Sequence, residues 1–323
     1  MYAQKTDSYD AQQFQNENKF KVMTGEQQKS SDRRIPKETI KADEPDFGDR
    51  AGEGELTVTW LGHSSLLLQL GLGNILIDPV LGEYSSPVAF AGPKRFSECP
   101  VTVDDLPEID ALFISHDHYD HLEYETIRSI DEKVKHYIVP LGIDYILKGW
   151  DVPEEKITAL CWWEEVSIDG ISYTLTPAQH YTGRNPLKMN RTLWGGVYLS
   201  DGIHKVYYTG DSGYYDVFSR VYEKYGKIDL MIADAGQYDT GWKTTHMFPE
   251  QTVQAAGDAH AKWLIPVHWG AFSLANHSWD DPIIRAVAAA EDEGINLATP
   301  CIGQTVDYDT IATYTEHWWE GIR

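Results

Sequence analysis

The sequence predicts an α/β (α+β) fold: an αββα sandwich of two packed mixed sheets flanked by helices. Two observations lead there. Short apolar runs separated by glycine turns recur in both halves of the 323-residue chain, with helical stretches between them. Histidines and aspartates also gather directly after several of those runs, where the loops at one end of such a sandwich would lie. Periodicity alone leaves other α+β arrangements open.

In chain order, residues 1–54 stand apart in composition. They are rich in Gln, Lys, Asp, Glu and Asn, with isolated apolar residues and no sustained period. This segment reads as a polar N-terminal arm, disordered or draped; an arm packed across the domain or a partner subunit is the alternative. Residues 55–323 form the main domain. It opens with "LTVTW", "SLLLQL" and "NILID", which read as successive strands. "DALFI" is another strand, followed by a helical stretch near Leu122–Ile130. "HYIVP", "ISYTL", "GGVYL", "KVYYTG" and "LMIADA" continue the strand pattern. Helices are expected at "DVFSRVYEKYG", "PEQTVQAAGDAHA" and "DDPIIRAVAAAEDEG", two with proline near the start and two stopping at glycine.

Composition narrows the function classes. With 27 basic and 50 acidic residues the formal charge is −23, which disfavours nucleic acid as a partner and repels anionic bilayers at long range. No apolar run approaches the ~18 residues of a membrane span, and the start lacks the apolar core of a secretory signal. The expectation is a cytoplasmic protein with at most peripheral membrane contact. Cys99, Cys161 and Cys301 are far apart and odd in number, which argues against a disulfide framework and a cysteine zinc site.

The chemistry concentrates in "SHDHYDHL", Ser115–Leu122. His116 and His118 are two apart, so on extended backbone both rings point to one side and can grip one ion. Asp120 and His121 follow on a turning backbone and face a neighbouring position. A mixed His/Asp set suits zinc, and also iron or manganese.

The string H-x-H-x-D-H resembles the signature of the metallo-β-lactamase-fold hydrolases, whose site is completed by a later His, a later Asp and a final His. Here "TPAQH" ends at His180, "YYTGDSGY" carries Asp211 and "LIPVHWG" carries His268, each after an apolar strand-like run. The resemblance implies that His116, His118 and His180 hold one divalent metal ion, that Asp120, His121 and His268 hold a second, and that Asp211 bridges them. Two dications need an anionic bridge, and together they acidify a shared water enough to give hydroxide near neutral pH.

The likeness narrows to one branch through "SSPVAFAGPKRF", "LPEIDALFISHDHYDHL", "VPLGI", "WWEE", "TPAQH", "TLWGG", "GDSGY", "HMFPEQTV" and "HWGAFSLANH". Between about Thr57 and Thr305 the chain resembles the N-acylphosphatidylethanolamine-hydrolysing phospholipase D and its bacterial relatives. The arm is not covered. The resemblance implies a binuclear phosphodiesterase acting on a phospholipid or small phosphodiester, with hydroxide attacking phosphorus in line. Asp211 and Asp120 would orient the hydroxide, and His246 in "KTTHMFPE" would touch the phosphate or protonate the leaving oxygen. A homodimer is a further implication. The rival within the fold is a lactonase; the rival from another class is a non-catalytic metal-binding regulator.

Three residues are weaker candidates. His63 in "WLGHSS" could contact a metal-ligating carboxylate, or be a satisfied structural histidine. Trp162, with Trp163, could wall an acyl chain or headgroup, although packing is the expectation for at least one of the pair. Lys94 and Arg95 in "GPKRF" could receive a phosphate, although solvated loop cations are the expectation, and Arg191 beside "TLWGG" is similarly undecided.

Overall fold

A computed structural model describes residues 9–10, 13–20, 22, 27–48, 52, 54–88, 90–184 and 187–322. A short ribbon, β1 (Tyr9–Asp10) and β2 (Gln13–Phe14), precedes two sheets. The first sheet contains β3 (Leu56–Trp60), β4 (Leu66–Leu70), β5 (Gly73–Ile77), β6 (Ile109–Phe113), β7 (Val134–Pro140), β8 (Ile157–Leu160) and β15 (Thr305–Asp307). Its order is β15-β3-β4-β5-β6-β7-β8. The second contains β9 (Glu165–Ile168), β10 (Ile171–Thr176), β11 (Gly196–Ser200), β12 (Lys205–Tyr208), β13 (Ile228–Asp234) and β14 (Ala261–Val267), in the order β14-β13-β12-β11-β10-β9.

Both faces of each sheet are covered, and the burial pattern shows by what. Along β4, Leu66, Leu68 and Leu70 join the core between the sheets, with Tyr173 and Leu175 of β10, Leu199 of β11 and Ile232 of β13. The alternate residue Leu67 faces outward, into a cluster with Ile127 of α1 (Tyr124–Ile130) and Leu147 of α2 (Ile143–Gly149). On the far side, Tyr207 and Met231 pack against Phe218 of α3 (Val217–Tyr225), Val253 of α4 (Pro249–Asp258) and Ala290 of α5 (Asp281–Glu293). Strands buried on both faces read as continuous apolar runs rather than alternating ones, which is why "LLLQL" and "LMIAD" carry no period of two. The αββα sandwich is therefore the observed fold.

The expected helices are present, with Pro249 opening α4 and glycines at positive φ following α3 (Gly226, 75°) and α5 (Gly294, 70°). The sequence reading had no element at α2, β8, β9 or β15, which are short or part-exposed and lack a sustained pattern. Among the described residues no helix is long and apolar enough to cross a membrane.

Topology places the site. β3–β4 and β4–β5 are antiparallel pairs, so β3 and β5 run the same way, and β6 is parallel to β5. By the same parity β10 runs with β12, and β13 and β14 are parallel to it. The carboxyl ends of β3, β5 and β6 thus share one end of the first sheet, as those of β10, β12, β13 and β14 do in the second. The site residues follow these seven ends.

Where the structure describes the first fifty residues, they lie against this body. Phe14 is fully buried in the core between the sheets, and Ile40 is buried there too, its N–H donated to the Phe96 carbonyl across 3.1 Å.

Candidate metal centre

His116, His118, Asp120 and His121 occupy the loop after β6; His180 follows β10, Asp211 follows β12 and His268 follows β14. Gly210 carries the turn into Asp211 at φ 59°, and a Cβ there would stand 2.8 Å from the Gly195 carbonyl oxygen. Three site residues that are not glycine also adopt left-handed backbone: His63 (54°), Asp78 (42°) and His268 (69°). Such conformations cost energy and persist where the surroundings over-determine them.

The seven residues divide into two clusters. In the first, His116 Nε2 and His118 Nδ1 are 2.9 Å apart, and His180 Nε2 is 3.3 Å from the same Nδ1. Asp211 Oδ2 lies 3.6 Å from His116 Nε2 and 3.8 Å from His180 Nε2. In the second, Asp120 Oδ2 is 3.4 Å from His121 Nε2 and 3.3 Å from His268 Nε2. Asp211 touches this cluster as well, with Oδ2 3.2 Å from His121 Nε2.

The outer nitrogens of His116, His121, His180 and His268 are already engaged. His116 Nδ1 lies 2.9 Å from Ser115 Oγ, and His180 Nδ1 donates to the Thr245 carbonyl across 3.0 Å. His121 Nδ1 donates to Asp78 Oδ2 at 2.8 Å, and His268 Nδ1 to Asp234 Oδ1 at 2.9 Å. Fixing the proton on Nδ1 leaves the Nε2 lone pair free to face inward, the arrangement a ligating histidine needs. Two inward atoms, His121 Nε2 and Asp211 Oδ1, are buried with no hydrogen-bond partner. A buried polar atom without a partner is costly, and a cation between the clusters would satisfy both. The donor set therefore fits divalent ions, and the clusters are able to bind them.

The electrostatics differ between the clusters. Burial pulls His116 and His180 well below the ordinary histidine range and lowers His118. Burial also opposes charge on His121 and His268, but the neighbouring carboxylates outweigh it. Asp211 and Asp120 hold His121 well up, while Asp211 and Asp234 raise His268 to about 10. Asp120 and Asp211 are held well below the carboxylate range against the cost of burial, chiefly by His121.

His246 precedes α4 and reaches the same place. Its Nδ1 lies 3.1 Å from Asp234 Oδ2 and 3.9 Å from Asp211 Oδ2. His63 Nε2 is 2.9 Å from Asp120 Oδ2, and burial followed by His268 pulls its pKa down to about 4. A cavity of about 320 Å³ opens over the clusters, lined among others by His118, Asp120, Asp211, His246 and His268 with Tyr119, Tyr181 and Trp242.

Trp162 and Arg191 lie elsewhere. Trp162 packs edge-on against Trp194 and donates its indole N–H to the Trp194 carbonyl at 2.5 Å, so its polar edge is spent on backbone. Arg191 is exposed and does not line the cavity. Arg95 is not a solvated loop cation. It is buried, donating to the Val80 carbonyl at 2.5 Å and stacking over Phe272 at 4.8 Å.

Two carboxylates went unread in the sequence, Asp78 and Asp234, each buried directly at the end of an apolar strand. The signal was there, because a charge closing a fully buried strand needs a partner.

Residues 73–269 match the family described as "Beta-lactamase superfamily domain". The chain belongs to the metallo-β-lactamase fold family. An uncharacterized Mycobacterium tuberculosis member is 38% identical over 84% of this chain and 73% of its own length. N-acyl-phosphatidylethanolamine-hydrolyzing phospholipase D 1 of Caenorhabditis elegans is 32% identical, covering 80% of this chain and 76% of that protein. Among solved structures, a metallo hydrolase from the archaeon Ignicoccus hospitalis superposes with a TM-score of 0.60 at 19% identity, covering 78% of this chain and 98% of that one. As a metallo-β-lactamase fold protein with intact His/Asp clusters, the chain is a metal-dependent hydrolase.

Proposed function

We propose that this hydrolase is a phosphodiesterase of the phospholipase D type, working with two divalent ions, zinc first among them, on N-acylphosphatidylethanolamine or a related glycerophospholipid. The observation that carries the reading is the pair of donor clusters sharing Asp211 beneath one cavity. The choice of a phospholipid is supported by the kinship with the worm phospholipase D. It is also supported by exposed apolar side chains close in sequence to the cavity wall. Phe90 (80% exposed) follows Ser85 of the cavity wall by five residues, and Leu187 (92% exposed) follows Gly183 of that wall by four. Such residues can meet the apolar part of an amphiphile even though the whole chain is acidic, since salt screens the long-range repulsion within about 10 Å.

His116, His118 and His180 would hold one ion, and Asp120, His121 and His268 the other, with Asp211 between them. Ions bound there would supply Lewis-acid polarisation of the phosphoryl oxygens and acidify a water. The chain's own groups do the rest. Asp120 and Asp211, held ionised, can accept hydrogen bonds from a nucleophilic water and fix its direction. Asp234 holds the Nδ1 proton of His246, which leaves Nε2 to exchange a proton with the leaving oxygen. Tyr119, Tyr181 and Trp242 give the cavity aromatic walls for the rest of the substrate.

The test is hydrolysis of N-acylphosphatidylethanolamine in detergent micelles by zinc-loaded protein, beside chelated protein and Asp211→Asn. Release of phosphatidic acid and an N-acylethanolamine that vanishes in both controls is the expected result. Cleavage of a simple lactone with no attack on the phospholipid would overturn the substrate assignment.

A further inference from the structure

His180, the candidate metal ligand after β10, is held by a residue outside the segment that matches the family. His180 is fully buried, and both of its main-chain polar groups pair with one side chain of the arm. Asn16 Nδ2 donates to the His180 carbonyl across 2.7 Å, and the His180 N–H donates to Asn16 Oδ1 across 3.0 Å. A single planar amide thus satisfies the donor and the acceptor of a residue that has left its sheet, as a neighbouring strand would. With the ring fixed through Nδ1 to Thr245 and the backbone fixed through Asn16, the direction of His180 Nε2 is set at two points.

The arm is anchored on either side of this clamp. Phe14 is fully buried in the core between the sheets, and its N–H donates to the Asn190 carbonyl at 2.8 Å. Arg220 of α3 donates to both carboxylate oxygens of Glu17 at 2.8 and 2.9 Å. Asn190 in turn pairs with Thr182, its N–H donating to the Thr182 carbonyl at 2.8 Å and its Oδ1 accepting from Thr182 N at 3.0 Å. The strap therefore grips both ends of residues 180–190, the segment that supplies Tyr181 and Gly183 to the cavity wall. Asn16 lies outside residues 73–269, the segment that the family match covers.

We propose that the N-terminal arm is a working part of the metal centre, with Asn16 the positioning residue that orients His180 toward the ion shared by His116 and His118. The inference rests on the metal-centre reading. Partners that orient a ligand typically matter 10- to 100-fold in metal affinity. Asn16 acts through the backbone rather than the ring, so the low end applies.

The experiment is zinc affinity of the full-length chain by competition with a chromophoric chelator, with melting temperatures measured on metal-free and zinc-loaded protein. Asn16→Ala is expected to bind zinc roughly ten-fold more weakly, and the stabilisation that zinc confers should shrink accordingly. The visible spectrum of the cobalt-loaded protein should change too. Asn16→Asp keeps the acceptor for the His180 N–H but loses the donor, and should fall between. Glu17→Gln weakens an anchor of the arm while leaving Asn16 in place, and should cost less zinc affinity than Asn16→Ala. Equal zinc affinity in wild type and Asn16→Ala would overturn the inference, even if Asn16→Ala melted lower in both states. A wild-type chain that took up no zinc would overturn the metal centre itself, and the strap with it.

Discussion

His121 donates its Nδ1 proton to Asp78 Oδ2 across 2.8 Å, and the same oxygen accepts from Tyr208 OH at 2.7 Å. Asp78 also takes the Ser115 N–H at 2.7 Å, while Ser115 Oγ sits between it and His116 Nδ1. One buried carboxylate thus orients a donor of each cluster. Asp78→Asn keeps the volume but replaces one acceptor with a donor. It should weaken zinc binding by about 10- to 100-fold, as measured by chelator competition. An affinity equal to wild type would show that the two clusters are oriented without it.

His246 faces the cavity with its outer nitrogen held by Asp234. His246→Gln should lower kcat on the phospholipid by roughly 100-fold or more, the usual share of general acid–base assistance. Metal content by mass spectrometry should stay at the wild-type value. A fall in metal content of the same size as the fall in rate would instead make His246 a ligand.

The two clusters should load differently with pH. His116, His118 and His180 are pulled down by burial, so they are already neutral at pH 7 and lose no proton when metal enters. His268 is raised to about 10 and His121 is also raised, so each is protonated there and must release its proton to bind through Nε2. Metal competes with those protons. Affinity at the second cluster should climb as pH rises toward about 10, while the first changes little above neutrality. Calorimetric zinc titrations in buffers of differing protonation enthalpy check this. A proton release for the first ion as large as for the second would contradict it.

Phe90 and Leu187 are large, apolar and exposed, each within five residues of a cavity-wall residue in the sequence. Phe90→Ser and Leu187→Ser should each raise KM for micellar phospholipid by about five-fold, the equivalent of roughly 1 kcal/mol of partial apolar burial. Turnover of a short water-soluble phosphodiester should stay unchanged. Equal losses on both substrates would mean that the loops shape the cavity rather than meet the micelle.

How far the site could be read in advance depended on where each residue's meaning was stored. His116, His118, Asp120 and His121 lie in one string whose spacing suggests shared ligation, His180, Asp211 and His268 were implied by the family resemblance, and the structure brings all seven together. Asp78 and Asp234 stand as single letters closing "NILID" and "LMIAD", where an aspartate ends many strands; only the register of two sheets shows that each faces a histidine nitrogen. Asn16 sits 164 residues from the histidine it clamps, inside a polar segment whose composition suggested looseness. Arg95 was misread for a related reason. Local sequence shows a loop cation, but its burial comes from the Val80 carbonyl and the Phe272 ring, both distant in the chain. Tryptophan positions were ambiguous because an indole fills a core as readily as a pocket, and Trp162 fills the core edge against Trp194.

Two ions are proposed to share Asp211. Anomalous diffraction at the zinc edge from crystals of zinc-loaded protein tests it most directly. Two peaks about 3.5–4 Å apart are predicted, one among His116, His118 and His180, the other among Asp120, His121 and His268, with an Asp211 oxygen between them. A single peak, or two peaks that leave Asp211 uncoordinated, would contradict it.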